Sequence, residues 1–328
     1  MIRATISSCL ASLLLVTACV EHSDPTAAAG KRRVAVIPKG TTHEFWKSIH
    51  AGARKAEQEL GVEVIWKGPK REDDRDEQIK VVENYIAKHV DGIVLAPLDN
   101  TALVPVVKEA VSQGIPVVIA DSGIEWDGMV SFVATDNYKG GVLAAQHLGK
   151  ILGGKGKALM MRYQEGSAST MEREAGFLET MQKEFAQIEL VSHDQYAGPT
   201  TETALRKGEN LLLNHKELDG IFCPNESSTF GMLRALQDSG RAGRVHFVGF
   251  DSSDKLMQAL HDGQIDGLVL QDPFRMGELG VKAIVDHLDK KPVEKRIDTG
   301  VHVATRNNME QPEIKALLKP DLSKWLKE

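Results

Sequence analysis

Three observations predict an α/β fold of two doubly wound parallel-sheet lobes joined by hinge crossings. Short β-branched runs alternate with stretches of helical period, the second half of the chain echoes the first, and 328 residues are long for a single core. Val34 to Ile37 is an unbroken apolar run, as a strand buried on both faces requires. The helix after it sets Phe45, Ile49, Ala53, Ala56 and Leu60 on one face and stops at Gly61. Val62 to Trp66, Gly92 to Leu95, Pro116 to Ile119 and Val130 to Ala134 read as further strands, with helices near 76–89 and 103–113. A second set of strands follows at Ala158 to Met161, Leu190 to Ser192, Gly220 to Cys223, Val245 to Phe250 and Leu268 to Leu270. Helices around 170–185, 201–214, 229–239 and 255–262 separate them.

The echo is specific. Asp91-Gly92-Ile93-Val94-Leu95-Ala96-Pro97 matches Asp219-Gly220-Ile221-Phe222-Cys223-Pro224, and Val118-Ile119-Ala120-Asp121-Ser122 matches Val248-Gly249-Phe250-Asp251-Ser252. The paired elements are similarly spaced in the two copies, which chance matches of short apolar runs rarely give. No glycine-rich linker separates the copies, so crossing strands are expected to join them. The expected division is 32–135 plus 272–299 for the N-terminal lobe and 136–271 plus 300–328 for the C-terminal lobe.

Residues 1–19 read as an export signal. Arg3 supplies positive charge, Leu10 to Val16 is an apolar run too short for the roughly 20 residues of a membrane span, and small residues precede Cys19. That ending resembles the lipobox of bacterial lipoproteins, which implies diacylation of Cys19 and a lipid anchor, with 20–31 as a polar tether. With Cys9 removed and Cys19 modified, Cys223 would be the one free thiol, and Ile221 and Phe222 beside it point to a buried structural role.

A net charge of -6 gives no footprint for nucleic acid. The eleven His are scattered without metal-ligand spacing, and neither a nucleophile beside a base nor a glycine-rich phosphate loop stands out. The sequence therefore calls for no metal or cofactor and does not read as an enzyme.

In open parallel α/β sheets the ligand sits beyond the carboxyl ends of the strands. There the sequence places Lys39 to Trp46, Asp99, Asp121-Ser122, Asp136-Asn137, Gln164 to Arg173, Asn225-Glu226, Asp251 and Gln271-Asp272. Asp136, Ser169, Asp251 and Ser252 also suit helix N-caps. Adjacent aromatics on a helix diverge by about 100°, so Phe45 and Trp46 cannot both face one core, and at least one is expected in the cleft.

From Arg33 to about Thr305 the chain resembles the type I periplasmic binding proteins of the ribose and galactose group, which share their fold with the ligand domain of Lac-repressor-type regulators. The resemblance rests on ordered motifs: Lys39 to Trp46 with Gly52, Asp91-Gly92-Ile93, Asp121-Ser122, Thr135 to Gly141, Glu172 to Phe177, Pro224-Asn225-Glu226, Val248 to Asp251, and Gln271. It implies an ABC importer's substrate-binding protein, exported to the periplasm or cell surface, with permease subunits as partners. It also implies Phe45 and Trp46 on the faces of a ligand ring, with Asp121, Arg173, Asn225, Asp251 and Gln271 bonding its hydroxyls. Apolar ring faces suit aromatic side chains, and a rim of hydroxyls suits carboxylates, amides and a guanidinium fork.

Three positions depart from the ribose pattern: Lys39 replaces a small hydroxyl residue, His43 an Asn and Ser122 an Arg. All three are candidate ligand contacts. Lys39 and Arg173 roughly balance Asp121, Glu226 and Asp251, which favours a neutral sugar or polyol over an anion. An autoinducer furanone and a sensory sugar receptor are the alternatives on the same scaffold. A regulator lacking its DNA-binding domain is disfavoured, because an export signal precedes Arg33. Trp46 and Arg173 are expected at the cleft mouth, where truncation would weaken binding without unfolding the protein.

Overall fold

Alternate residues of the first strand face opposite sides of its sheet, and both sides are covered. In the computed structural model, which describes Met1 and residues 30–326, Val34 and Val36 enter one core while Ala35 and Ile37 enter another. Residues 2–19 of the expected export signal, Cys19 included, and all but the end of the tether lie outside the described residues.

The first sheet holds β1 (Arg33–Ile37), β2 (Glu63–Trp66), β3 (Gly92–Leu95), β4 (Val117–Ala120), β5 (Ser131–Ala134) and β11 (Arg296–Asp298), in the order β11-β5-β4-β3-β1-β2. The second holds β6 (Gly156–Arg162), β7 (Ile188–Tyr196), β8 (Gly220–Phe222), β9 (His246–Phe250), β10 (Gly267–Leu270) and β12 (His302–Ala304), in the order β12-β10-β9-β8-β6-β7. The strand orders correspond one for one, so the expected α/β fold of two lobes is borne out.

The helices are α1 (Glu44–Leu60), α2 (Arg75–Ala87), α3 (Val104–Ser112), α4 (Asn137–Ile151), α5 (Ala168–Glu184), α6 (Thr201–Asn214), α7 (Glu226–Asp238), α8 (Asp254–His261), α9 (Pro273–Leu288) and α10 (Pro312–Leu318). Two that the periodicity did not single out, α4 and α9, are the ones that change lobe. α4 follows β5 of the first sheet, yet its Ala144, Ala145 and Leu148 share a core with Phe222, Val248 and Val269 of the second. α9 follows β10 of the second sheet, and its Val281 and Ile284 pack with Val34, Val94 and Val118 of the first.

Each exchanged helix docks through glycines in the same reciprocal way. A Cβ on Gly52 of α1 would lie 1.8 Å from the Phe274 carbonyl oxygen of α9, and one on Gly277 would lie 2.0 Å from that of Ile49. In the other lobe Gly141 of α4 meets the Arg173 oxygen at 1.9 Å and Gly176 of α5 meets the Tyr138 oxygen at 2.1 Å on the same construction. Only hydrogen fits at these four backbone contacts.

The chain passes between the sheets after β5, after β10 and between β11 and β12. The first and third passages touch: Thr299 N–H donates to the Ala134 carbonyl, and the Thr135 hydroxyl to that of Gly300. β11 runs parallel to β5 toward the cleft, so the chain enters the second sheet from its cleft end and β12 must run antiparallel to β10. The last residues depart from the expected C-terminal lobe, since Trp325 packs against Phe274 at the start of α9, with ring centroids 6.4 Å apart. Cys223 is buried in the second lobe's core, and burial pushes its thiol well up from the ordinary range.

Candidate functional site

Both sheets point the carboxyl ends of their parallel strands at the cleft, β12 alone being reversed. β4 and β9 end there on Asp121 and Asp251, each in the left-handed backbone region, with φ 61° and 68°. That conformation costs a non-glycine residue about 1 kcal/mol and persists only where the surroundings impose it. The two matched motifs thus deliver a carboxylate from each lobe.

Lys39, His43, Phe45, Trp46, Asp121, Arg173, Asn225, Asp251 and Gln271 all line one cavity between the lobes. Ser122 does not. Its hydroxyl accepts from the Ser169 N–H in the first turn of α5, a helix that Ser167 opens without a side-chain cap bond. Ser169 is thus inside the helix rather than its cap. Asp136 does cap α4, accepting from Lys139 N–H, whereas Ser253, not Asp251 or Ser252, caps α8. The opposite helix end is finished from across the cleft in the same manner. His43 opens α1 without a side-chain cap, and Glu226 of the second lobe accepts from Phe45 N–H at 3.1 Å and Glu44 N–H at 3.5 Å. Each lobe therefore caps a helix of the other.

Lys39 bridges the cleft. Its Nζ lies 3.1 Å from Asp121 Oδ2 and donates to the hydroxyls of Ser167 and Ser169 at 3.2 and 3.0 Å, with both ion-pair side chains almost fully buried. Glu72, which sequence reasoning missed, is the other bridge: it accepts from Trp46 Nε1 at 2.7 Å and Tyr163 Oη at 2.8 Å, and pairs with His43 Nδ1 at 2.6 Å. Burial opposes charge on both partners. For Glu72 the charge and hydrogen bond of His43, the Trp46 bond and the nearby Lys39 prevail and bring the carboxyl down to about 2. For His43 the same carboxylate, aided by Glu226 and Asp251, outweighs burial and lifts the imidazole to about 9. Glu72 follows β2 and Tyr163 follows β6. Inspecting every strand end, β2 included, would have found both.

Arg173 is 2% exposed and Trp46 3%, so neither sits at an open mouth as expected. The guanidinium stacks 4.0 Å from the Phe250 ring centroid, donates through Nε to Asn137 Oδ1 and through Nη1 to the Pro224 carbonyl, and leaves Nη2 buried without a partner. Gln271 donates to Asp251 Oδ1 at 2.7 Å and leaves Oε1 in the same condition. Asp251 also accepts from Glu226 N–H, and its burial, offset in part by Arg173 and Gln271, raises its carboxyl. Asn225 is occupied as the N-cap of α7, in a capping box with Ser228.

Phe45 and Trp46 meet edge to face, 88° apart with centroids separated by 5.0 Å. They form a corner of the cavity, not the two parallel plates expected for a ring held between them. Between these side chains the cavity is open to one side and leaves about 30 Å³, room enough for ordered water. A crevice of about 480 Å³ adjoins it, sharing Phe45, Glu226, Asp251 and Gln271 and walled on one side by Leu317, Leu318 and Lys319. No helix among the described residues is long and apolar enough to cross a membrane.

Solved structures of similar proteins carry sugars. A solute-binding protein of an Agrobacterium vitis ABC transporter with bound D-fucose is 36% identical, with a TM-score of 0.84 over 88% of this chain and 100% of that one. A carbohydrate transporter solute-binding protein of Agrobacterium radiobacter in complex with D-arabinose is 33% identical, with a TM-score of 0.86 over 89% of this chain and 100% of that one. The D-allose-binding periplasmic protein of Escherichia coli is 30% identical over 84% of this chain and 93% of its own length. Residues 34–292 match the periplasmic binding protein domain, and the chain belongs to that family.

Proposed function

We propose that the cleft captures a neutral monosaccharide or polyol by closure of the two lobes and presents it to ABC permease subunits. The protein is the substrate-binding component of a sugar importer. The observation that carries the choice of ligand is the pair of unpartnered buried atoms on cavity-lining side chains, the donor Arg173 Nη2 and the acceptor Gln271 Oε1. An unmet buried polar atom is costly, and hydroxyls, which donate and accept, satisfy both kinds. Lys39 and His43 already face Asp121 and Glu72, and the Arg173 guanidinium has the Asp251 and Asp121 carboxylates near it, so the cavity holds no excess of positive charge for an anionic ligand. The perpendicular rings supply an apolar corner for a sugar's C–H face.

Side chains of both lobes surround this cavity, so the ligand enters when the lobes part and the Lys39 and Glu72 bridges open. On this reading Lys39, His43, Phe45, Trp46, Asp121, Arg173, Asn225, Asp251 and Gln271 surround the ligand, and Ser122 acts at one remove through α5. The hinge lies at Thr135-Asp136, Gln271-Asp272 and Thr299-Gly300. Residues 1–19 act as a signal ending at Cys19, whose lipid tethers the periplasmic protein to a membrane.

Thermal-shift screening against D-arabinose, D-fucose, D-ribose, D-allose, polyols and an autoinducer furanone tests the ligand class. A ligand at a thousand times its Kd stabilises by about 4 kcal/mol. A response to the furanone alone would overturn the sugar reading. Cys19→Ser should release the chain from membranes or leave unprocessed precursor.

A further inference from the structure

The structure assigns Glu72 a positioning role: one carboxylate fixes the indole corner of the sugar site and ties that corner to lobe closure. This rests on the sugar-binding reading above and names a residue that controls it. Glu72 stands in the loop between β2 and α2 and is 5% exposed. A buried carboxylate contributes nothing that a well-packed apolar side chain would not, unless its hydrogen bonds are what the site needs. Here they divide into two kinds.

Those from Trp46 Nε1 and His43 Nδ1 come from Glu72's own lobe and survive opening. They set the direction of the indole N–H and hence the plane of the ring, which Phe45 meets edge-on. The Tyr163 hydroxyl bond, and the bond from Gln164 Nε2 to the Glu72 carbonyl, come from the second lobe and exist only while the lobes are together. The same carboxyl group therefore prepares the apolar corner before the ligand arrives and rewards closure after it.

Two variants separate these functions. Tyr163→Phe removes one hydroxyl and leaves the indole bond in place. Glu72→Gln keeps the shape but replaces acceptor capacity with a donor that clashes with the converging N–H and O–H groups. Affinities for D-arabinose and D-fucose would be measured by calorimetry, and the indole N–H resonances of the four tryptophans by NMR, with Trp46→Phe identifying the relevant signal.

Tyr163→Phe should weaken each sugar that the parent binds by a similar factor, about tenfold, with the Trp46 resonance unmoved. Glu72→Gln should weaken binding further, change the relative preference between sugars and move the Trp46 resonance upfield. Parental affinities in Tyr163→Phe, or an unmoved Trp46 resonance in Glu72→Gln, would overturn the assignment. Should the parent bind no neutral sugar, the ligand reading falls, and the resonance alone decides whether Glu72 holds the indole.

Discussion

The two lobes share strand order, helix docking and a left-handed aspartate at the cleft, yet they bring different chemistry to it. The first lobe arrives with its charges matched: Asp121 faces Lys39, and Glu72 faces His43. The second arrives with Asp251 held by Gln271 and a backbone N–H, while Arg173 Nη2 and Gln271 Oε1 have no partner. A duplicated scaffold thus fixes where a carboxylate is delivered, and the neighbours decide what it does there. The helix caps across the cleft differ in the same way, one a neutral serine and the other a glutamate that titrates.

Arg173→Ala should break this comparison most severely. It removes the unpartnered donor along with the bonds to Asn137 and Pro224, so sugar affinity should fall by about 2 to 5 kcal/mol, or some thirtyfold to several thousandfold. The melting temperature should fall as well, because a fully buried residue leaves a cavity and an unbalanced Asp251. Calorimetry and thermal denaturation measure the two effects, and an unchanged melting temperature would return Arg173 to the cleft mouth.

Asp121→Asn and Asp251→Asn test the matched carboxylates against each other. Asn tolerates the left-handed backbone, so the change is electrostatic. Asp121→Asn leaves the Lys39 ammonium buried without its counter-charge and should cost about 3 kcal/mol in urea unfolding. Asp251→Asn should cost clearly less, since burial already raises that carboxyl. Equal losses would show that the lobes are electrostatically alike.

Gly52→Ala and Gly141→Ala probe what the lobes share. Both place a methyl group against a carbonyl at under 2 Å, and each should destabilise by about 1 to 3 kcal/mol. Closely similar urea midpoints are expected, and a tolerant site would reveal a helix pair that slides.

The smallest effect is the pH dependence of closure. Burial, opposed by His43 and the α1 amides and reinforced by Asp251, pushes Glu226 from 4.5 up to about 7. A raised carboxyl favours the closed state in its protonated form, so this contribution is full below about pH 4.5 and lost as the pH rises through 7. The His43–Glu72 pair lies within the first lobe and is kept when the lobes part, so it does not set that window. Small-angle scattering without ligand should show the radius of gyration rising between pH 5 and 8, and Glu226→Gln should flatten the rise.

Most of the fold was legible because central strands carry unbroken apolar runs. β3 was expected over Gly92 to Leu95 and lies there, and α6 was expected over 201–214 and does too. β7 was expected over three residues and spans nine, since an edge strand with His193 and Asp194 toward solvent carries no such run. α4 escaped notice because adjacent glycines, which disfavour an isolated helix, are there to admit a neighbour's backbone. At the site, strand ends located nine of the ten expected side chains on one cavity. Which of them spend their hydrogen bonds on one another could not be read from spacing, because Lys39 meets Ser167 and Ser169, and Glu72 meets Tyr163, only after the chain has crossed between sheets.

The exchange of α4 and α9 also governs when the protein can fold. Ala53 and Ala56 of α1 cover part of one face of the first sheet early, but Val94 and Val118 wait for Val281 and Ile284, more than 150 residues downstream. A chain emerging from its N-terminus keeps part of its first core wet until α9 has been made. Contacts so distant in sequence slow folding, so the first lobe cannot be completed before that helix is in place.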